Sequence, residues 1–253
     1  MKGFLQEYGV IMVVVAVVLG MLAFGKTGYA KSIQDAILGS ADHIVETGEN
    51  ITKKEIHVNS GDMLNIEGKK YIVLEERESN QALVITASSI RNMAFQSTSR
   101  SDEQSQNTYE GSEVDNYLEN KWYNSLSSTM KAAIQTTNIR QTSYNGRDKE
   151  YDYGYNGKPN NTINRHAFLP GVSEIGKVVD LKNKDKVKAF LNGNNIWTRH
   201  SFGPSPYPKN LICLLDYGTV ATREADYSLD VRPAFVIDLS KIDYTEAGHV
   251  DYK

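Results

Sequence analysis

Five histidines, His43, His57, His166, His200 and His249, and one cysteine, Cys213, are the side chains here best suited to proton transfer, metal binding or nucleophilic attack. None of the histidines has the H-E-x-x-H spacing that sets two imidazoles on one helix face around a zinc ion. His43 and Glu46 stand three apart, which reads as a solvated helix face. The sequence has no Gly-x-Ser-x-Gly elbow and no phosphate-cradling loop. One cysteine allows neither an intramolecular disulfide nor a Cys-based zinc cluster. Flanked as Leu211-Ile212-Cys213-Leu214-Leu215, it reads as a small buried hydrophobe. No catalytic residue, metal ligand or cofactor is assigned, and an enzyme is not expected.

Binding chemistry is better represented. Trp197, Arg199 and His200 put an aromatic face beside a guanidinium, a pairing that can hold a sugar ring or a carboxylate. The competing reading, which we prefer, packs Trp197 in the core and pairs Arg199 with an internal acid. Arg232 before Pro233 reads as a structural interior residue with a paired carboxylate. Tyr144 to Arg165 is rich in Tyr, Gly and Asn, with Tyr151, Tyr153 and Tyr155 in close succession. Tyrosine offers large contact area with few rotors to freeze, so this stretch is the leading recognition candidate. Its tyrosines folding back over the core is the competing reading. Tyr207, Arg223 and Tyr227 are second choices.

These residues need elements to position them. The 253 residues carry a net charge of −3 and 40 % apolar content, enough for one sizeable core. Basic residues are scattered among acids, which argues against nucleic acid as a partner. Tyr8 to Gly25 contains no charge and is almost wholly apolar from Val10 to Phe24. Such a run is at the lower edge of what spans a bilayer as a helix. Gly28-Tyr29-Ala30 would suit cleavage as a signal peptide. We adopt the uncleaved anchor; both readings put the body outside the cytoplasm. Ile33, Ile37, Ala41 and Ile44 then share one face, continuing the helix as an amphipathic stalk to Gly48. The expected organisation is anchor and stalk over 1–48, linker and first strand over 49–65, and an extracytoplasmic domain over 66–253.

In the body, Gly68 to Leu74 and Ala82 to Thr86 flank a polar turn and read as a hairpin. Ser88 to Gly111 is polar and reads as a long loop. Val114, Tyr117, Leu118, Trp122 and Leu126 keep helical spacing, and Ser127 is placed to cap a second short helix. Val172 to Phe190 suggests short helices. Three strands follow, over Asn195–Arg199, Leu211–Leu215 and Val231–Leu239. Short strands, a few helices and long loops describe an α+β domain.

Two resemblances add to this. The N-terminal helix with Gly3 and Glu7-Tyr8 resembles Flp-type pilins, although Glu7 lies one residue closer to the glycine than in that family's pattern. The body resembles a bacterial cell-surface domain family of unknown function. The matching blocks are Gly68, Tyr71, Val73 and Leu74; Ser112, Tyr117, Leu118, Trp122, Leu126, Ser127, Lys131 and Ile134; Trp197-Thr198-Arg199; Gly218-Thr219-Val220; and Val231-Arg232-Pro233-Ala234. The late blocks are also similar to the C-type-lectin-like fold. That resemblance implies a lectin-like domain, here lacking the Glu-Pro-Asn or Gln-Pro-Asp triplet of calcium-dependent lectins and the cysteine pair of sulfatase-modifying enzymes.

Together these features predict a single-pass membrane protein. Residues 8–25 would contact the membrane, and the body would recognise a protein or glycan through its Tyr-rich loops. Self-association through the N-terminal helix, as in a pilin-like filament or secretion apparatus, is the alternative.

Overall fold

The computed structural model of the protein describes residues 56–78, 80–98, 106–140, 143–144, 150–151, 162–202 and 209–253. All lie in the second of two compact units, Ile56–Lys253. The anchor and stalk expected over residues 1–48 fall outside the described residues. No described helix is long and apolar enough to cross a membrane.

A six-stranded antiparallel sheet organises the first half of the core. It contains β1 (Asp62–Ile66), β2 (Lys69–Arg77), β3 (Gln81–Thr86), β5 (Ile134–Gln135), β14 (Ala234–Asp238) and β15 (Thr245–His249), in the order β15-β1-β2-β3-β14-β5. Its first strand begins within the stretch expected as linker and first strand and ends one residue beyond it. Glu67 and Gly68, at φ 51° and 78°, join β1 to β2, so both central residues of this two-residue turn are left-handed. Such turns match the twist of the strands that they connect. The expected hairpin is β2 and β3. Tyr71 to Leu74 are four buried residues in a row, and every residue of β14 is buried. Strands covered on both faces read as continuous apolar runs, not as alternation.

The second sheet comprises β4 (Arg91–Ala94), β10 (Ile196–Phe202), β11 (Asn210–Leu215), β12 (Thr219–Glu224) and β13 (Ser228–Val231), ordered β12-β11-β10-β13-β4. The short β7 (Ser143–Tyr144) pairs with β10 and with β8 (Glu150–Tyr151). A separate two-stranded ribbon joins β6 (Thr137–Arg140) to β9 (Thr162–Arg165). One hydrophobic core, running from Leu64 and Val73 to Trp197 and Phe235, takes side chains from both large sheets.

Helices are short. They are α1 (Glu113–Tyr117), α2 (Ser128–Ala133), α3 (Val172–Ile175) and α4 (Lys184–Leu191). Ser127 caps α2 as expected, its hydroxyl accepting the Met130 N–H at 2.9 Å. Among the described residues, the expectation of an α+β, C-type-lectin-like body is corrected. The described residues are mainly β, with strands at 43 %, and their α-helices run four to eight residues. The polar stretch Ser88–Gly111, expected as a loop, contains β4. The last expected strand is two: β13 ends at Val231, and β14 starts at Ala234 after Pro233, which has no N–H to give to a ladder.

Candidate functional site

The sequence candidates divide by burial. β10 is buried along six of its seven residues, polar ones included. Trp197 is fully buried and donates its indole N–H to the Met93 carbonyl at 3.0 Å. Arg199 is 6 % exposed and grips Glu174 with two N–H groups at 2.6 and 2.8 Å. It also donates to the Arg140 and Leu169 carbonyls. Burial alone would raise the Glu174 carboxyl. The Arg199 charge and hydrogen bonds, with the Gly171 N–H, outweigh it and hold the group at about 2. His200 is buried, and its Nδ1 accepts the Val172 N–H at 3.4 Å. All three side chains are interior.

Arg232 is also interior, but among the described residues the expected carboxylate does not pair with it. Its N–H groups reach the Thr86 and Phe190 carbonyls at 2.7 and 3.0 Å, and it stacks on the Phe190 ring at 4.4 Å. Burial lowers its pKa to about 10.

Tyr151, in β8, pairs through its backbone with Ser143 of β7. Tyr153, Tyr155 and Tyr207 lie outside the described residues. Arg223 is half-buried on β12, and Tyr227 is 56 % exposed in the turn before β13.

A cleft of about 380 Å³ opens instead where β4 meets α1. Arg91 and Met93, two apart on β4, point to one side of the strand. Glu113, Asn116, Tyr117 and Asn120 recur at i, i+3, i+4 and i+7, one face of a helix. Past Tyr117 the chain widens into a π-helical turn, Leu118–Trp122, closed by the Tyr123 N–H bonding the Leu118 carbonyl. That turn adds Lys121 to the cleft. Single π-helical turns concentrate at functional sites.

The helix is pinned from behind. The Ser112 hydroxyl caps it by accepting the Asp115 N–H at 3.2 Å, and Gln96 Oε1 accepts the Glu113 N–H at 3.1 Å. Arg165 on β9 forks onto Asp115 with two bonds of 2.7 Å, and these bonds raise its own pKa. Glu119 accepts the His166 backbone N–H at 2.9 Å and faces its Nδ1 at 2.6 Å. Tyr123 stacks on the same imidazole, ring centres 4.3 Å apart, and Thr136 Oγ1 lies 3.0 Å from its Nε2. These anchors fix both α1 and the π-turn, so the cleft is preformed.

Within it, the Arg91 guanidinium lies over the Tyr117 ring at 5.0 Å. Glu113 is engaged by Ser97, through its N–H at 3.0 Å and its hydroxyl at 2.7 Å, and by Gln96 Nε2 at 3.2 Å. The site joins an aromatic-backed guanidinium, an ammonium and two amides above an apolar Met93. Tyr117, which keeps helical spacing with Val114 and Leu118 in the sequence, packs against the core and is half-buried on the cleft wall. The signal available in sequence was its polar company, Asn116, Asn120 and Lys121, opposite the buried Val114 and Leu118.

Among the described residues the architecture is a mainly β domain carrying a pinned helix-and-π-turn cleft. Residues 79–239 match the model of a family described as a domain of unknown function (DUF6273). That span exceeds half of the 253 residues, and the chain belongs to this family. No curated protein and no solved structure matches the chain.

Proposed function

We propose that this protein is an extracytoplasmic recognition protein, held at the membrane by the apolar segment Tyr8–Gly25, whose body binds a protein or glycan. The observation that carries the reading is the preformed cleft of β4 and α1, with Arg91 laid over Tyr117 and amides at Asn116 and Asn120. A concave site with an aromatic surface and a few convergent polar groups is built for binding. The uncharged N-terminal run supports the location, since a segment of that length and composition partitions into lipid. The Tyr-rich stretch around Tyr151 would add contact area.

Intact-cell proteolysis of the full-length chain, with membrane fractionation and intact mass, tests the reading. We expect a full-length mass in the membrane fraction and a body that external protease removes. A protein recovered in the cytosolic fraction, protected from that protease, would overturn it.

A further inference from the structure

Arg91 and Lys121 are the two cations of the cleft, and neither has an acidic partner among the described residues. An exposed arginine usually finds a carboxylate or points into water. Arg91 is exposed and has no carboxylate partner among the described residues; its guanidinium lies over the Tyr117 ring at 5.0 Å. The aromatic face holds a weakly hydrated guanidinium in place, and its N–H edge stays available for a planar anion. Glu113, the one acid of the cleft, has its carboxylate taken up by Ser97 and Gln96. The two cations therefore outnumber the single acid, which is already hydrogen-bonded.

The other lining groups point to hydroxyls. Asn116 donates its amide N–H to the Gly111 carbonyl at 3.0 Å, leaving its side-chain oxygen as an acceptor. Asn120, one turn on, supplies both an amide donor and an acceptor. At about 380 Å³ the cleft is near the lower end of small-ligand sites, which run from roughly 300 to 1,000 Å³. That volume suits a ligand of one or two rings better than a length of extended chain.

We propose that this cleft binds an anionic saccharide, with the acidic group forked by Arg91, its charge neutralised further by Lys121, and its hydroxyls read by Asn116 and Asn120. The anion is a carboxylate, sulfate or phosphate borne on a sugar, all of which match the guanidinium fork. This inference rests on the reading that the cleft is a binding site.

The test uses the full-length chain in detergent on an immobilised array of neutral, carboxylated, sulfated and phosphorylated saccharides, with poly-L-glutamate as a peptide probe. We expect retention on one acidic class, weakening as salt rises, and at least tenfold weaker neutral counterparts. Arg91→Ala should lower affinity at least tenfold. Arg91→Lys should recover little of it, since an ammonium cannot fork. Lys182→Ala, on a surface segment before α4, should change nothing. Melting temperatures of the Arg91 variants within a few degrees of the parent would show that the loss is in binding.

Binding to neutral saccharides that Asn120→Ala abolishes and Arg91→Ala spares would keep the binding site and overturn the anionic ligand. Binding to poly-L-glutamate and to no saccharide would make the occupant an acidic polypeptide and overturn the proposal. Failure of every probe, with the parent protein folded, would overturn this inference, while the recognition reading is tested separately by the proteolysis and fractionation above.

Discussion

The Glu174 carboxylate and the Arg199 guanidinium form a buried two-pronged pair, 2.6 and 2.8 Å, that ties α3 to β10. Folding lowers the Glu174 pKa from 4.5 to about 2. A carboxyl depressed in this way stabilises the fold fully above its unfolded value. The contribution is lost as pH falls from about 4.5 towards 2, and amounts to about 3 kcal/mol at neutral pH. Urea midpoints measured from pH 7 down to pH 3 should fall through this window. Glu174→Gln should remove much of that slope and cost roughly 3–5 kcal/mol at pH 7, because it leaves Arg199 buried without its counter-charge. An unchanged slope in the variant would assign the acid sensitivity to other groups.

Trp197 should behave as a core residue. Trp197→Ala is expected to cost roughly 3–5 kcal/mol. Trp197→Phe strands the Met93 carbonyl and should cost roughly 1–3 kcal/mol. Calorimetric melting of both variants checks this. A Trp197→Phe protein that melts like the parent but loses ligand would return the residue to the binding surface.

Two glycines with similar backbones should respond differently. Gly193 has φ 81° and open space where a Cβ would go; Gly218 has φ 89°, and a Cβ there would stand 2.3 Å from the Lys184 carbonyl oxygen. Gly193→Ala should therefore cost only the left-handed penalty, roughly 1–2 kcal/mol. Gly218→Ala must also displace the start of α4 and should cost clearly more. Denaturant titration of the pair measures the difference, and equal costs would mean that the α4 terminus yields freely.

Cys213 should be inert in the folded protein. Burial pushes its thiol up to about 12, and the side chain is fully covered. Since the thiolate is the nucleophile, iodoacetamide at pH 8 should label it only at the rate of unfolding. Rapid labelling without denaturant would show that β11 opens locally.

Much of the strand content was legible where a strand is apolar throughout. Tyr71–Leu74 and Leu211–Leu215 announce themselves because both faces are covered. β4 was not legible, since Arg91-Asn92-Met93-Ala94 carries little apolar signal and owes its pairing to β13, more than a hundred residues later. The helices were overestimated for a related reason. Val114, Leu118 and Trp122 keep a helical period, but that period describes only a five-residue helix and a π-turn packed on a sheet.

The candidate site was the least legible part. The Trp-x-Arg-His run looks like recognition chemistry in one dimension, yet β10 lies buried on both faces, so the same groups become internal fasteners. The cleft takes residues from two segments separated by a long stretch of chain, Arg91–Met93 and Glu113–Lys121, none of them individually unusual.

By itself the sequence determined the apolar N-terminal run, the single buried cysteine, the hairpin and the Ser127 cap, because each depends on local composition or on neighbours within a few residues. Only the tertiary structure decided that the body is mainly β, that Arg199 faces Glu174 and that Arg232 faces carbonyls. It also decided that Arg91 lies over Tyr117. Burial and pairing partners are set by distant strands meeting, which no local pattern of residues records.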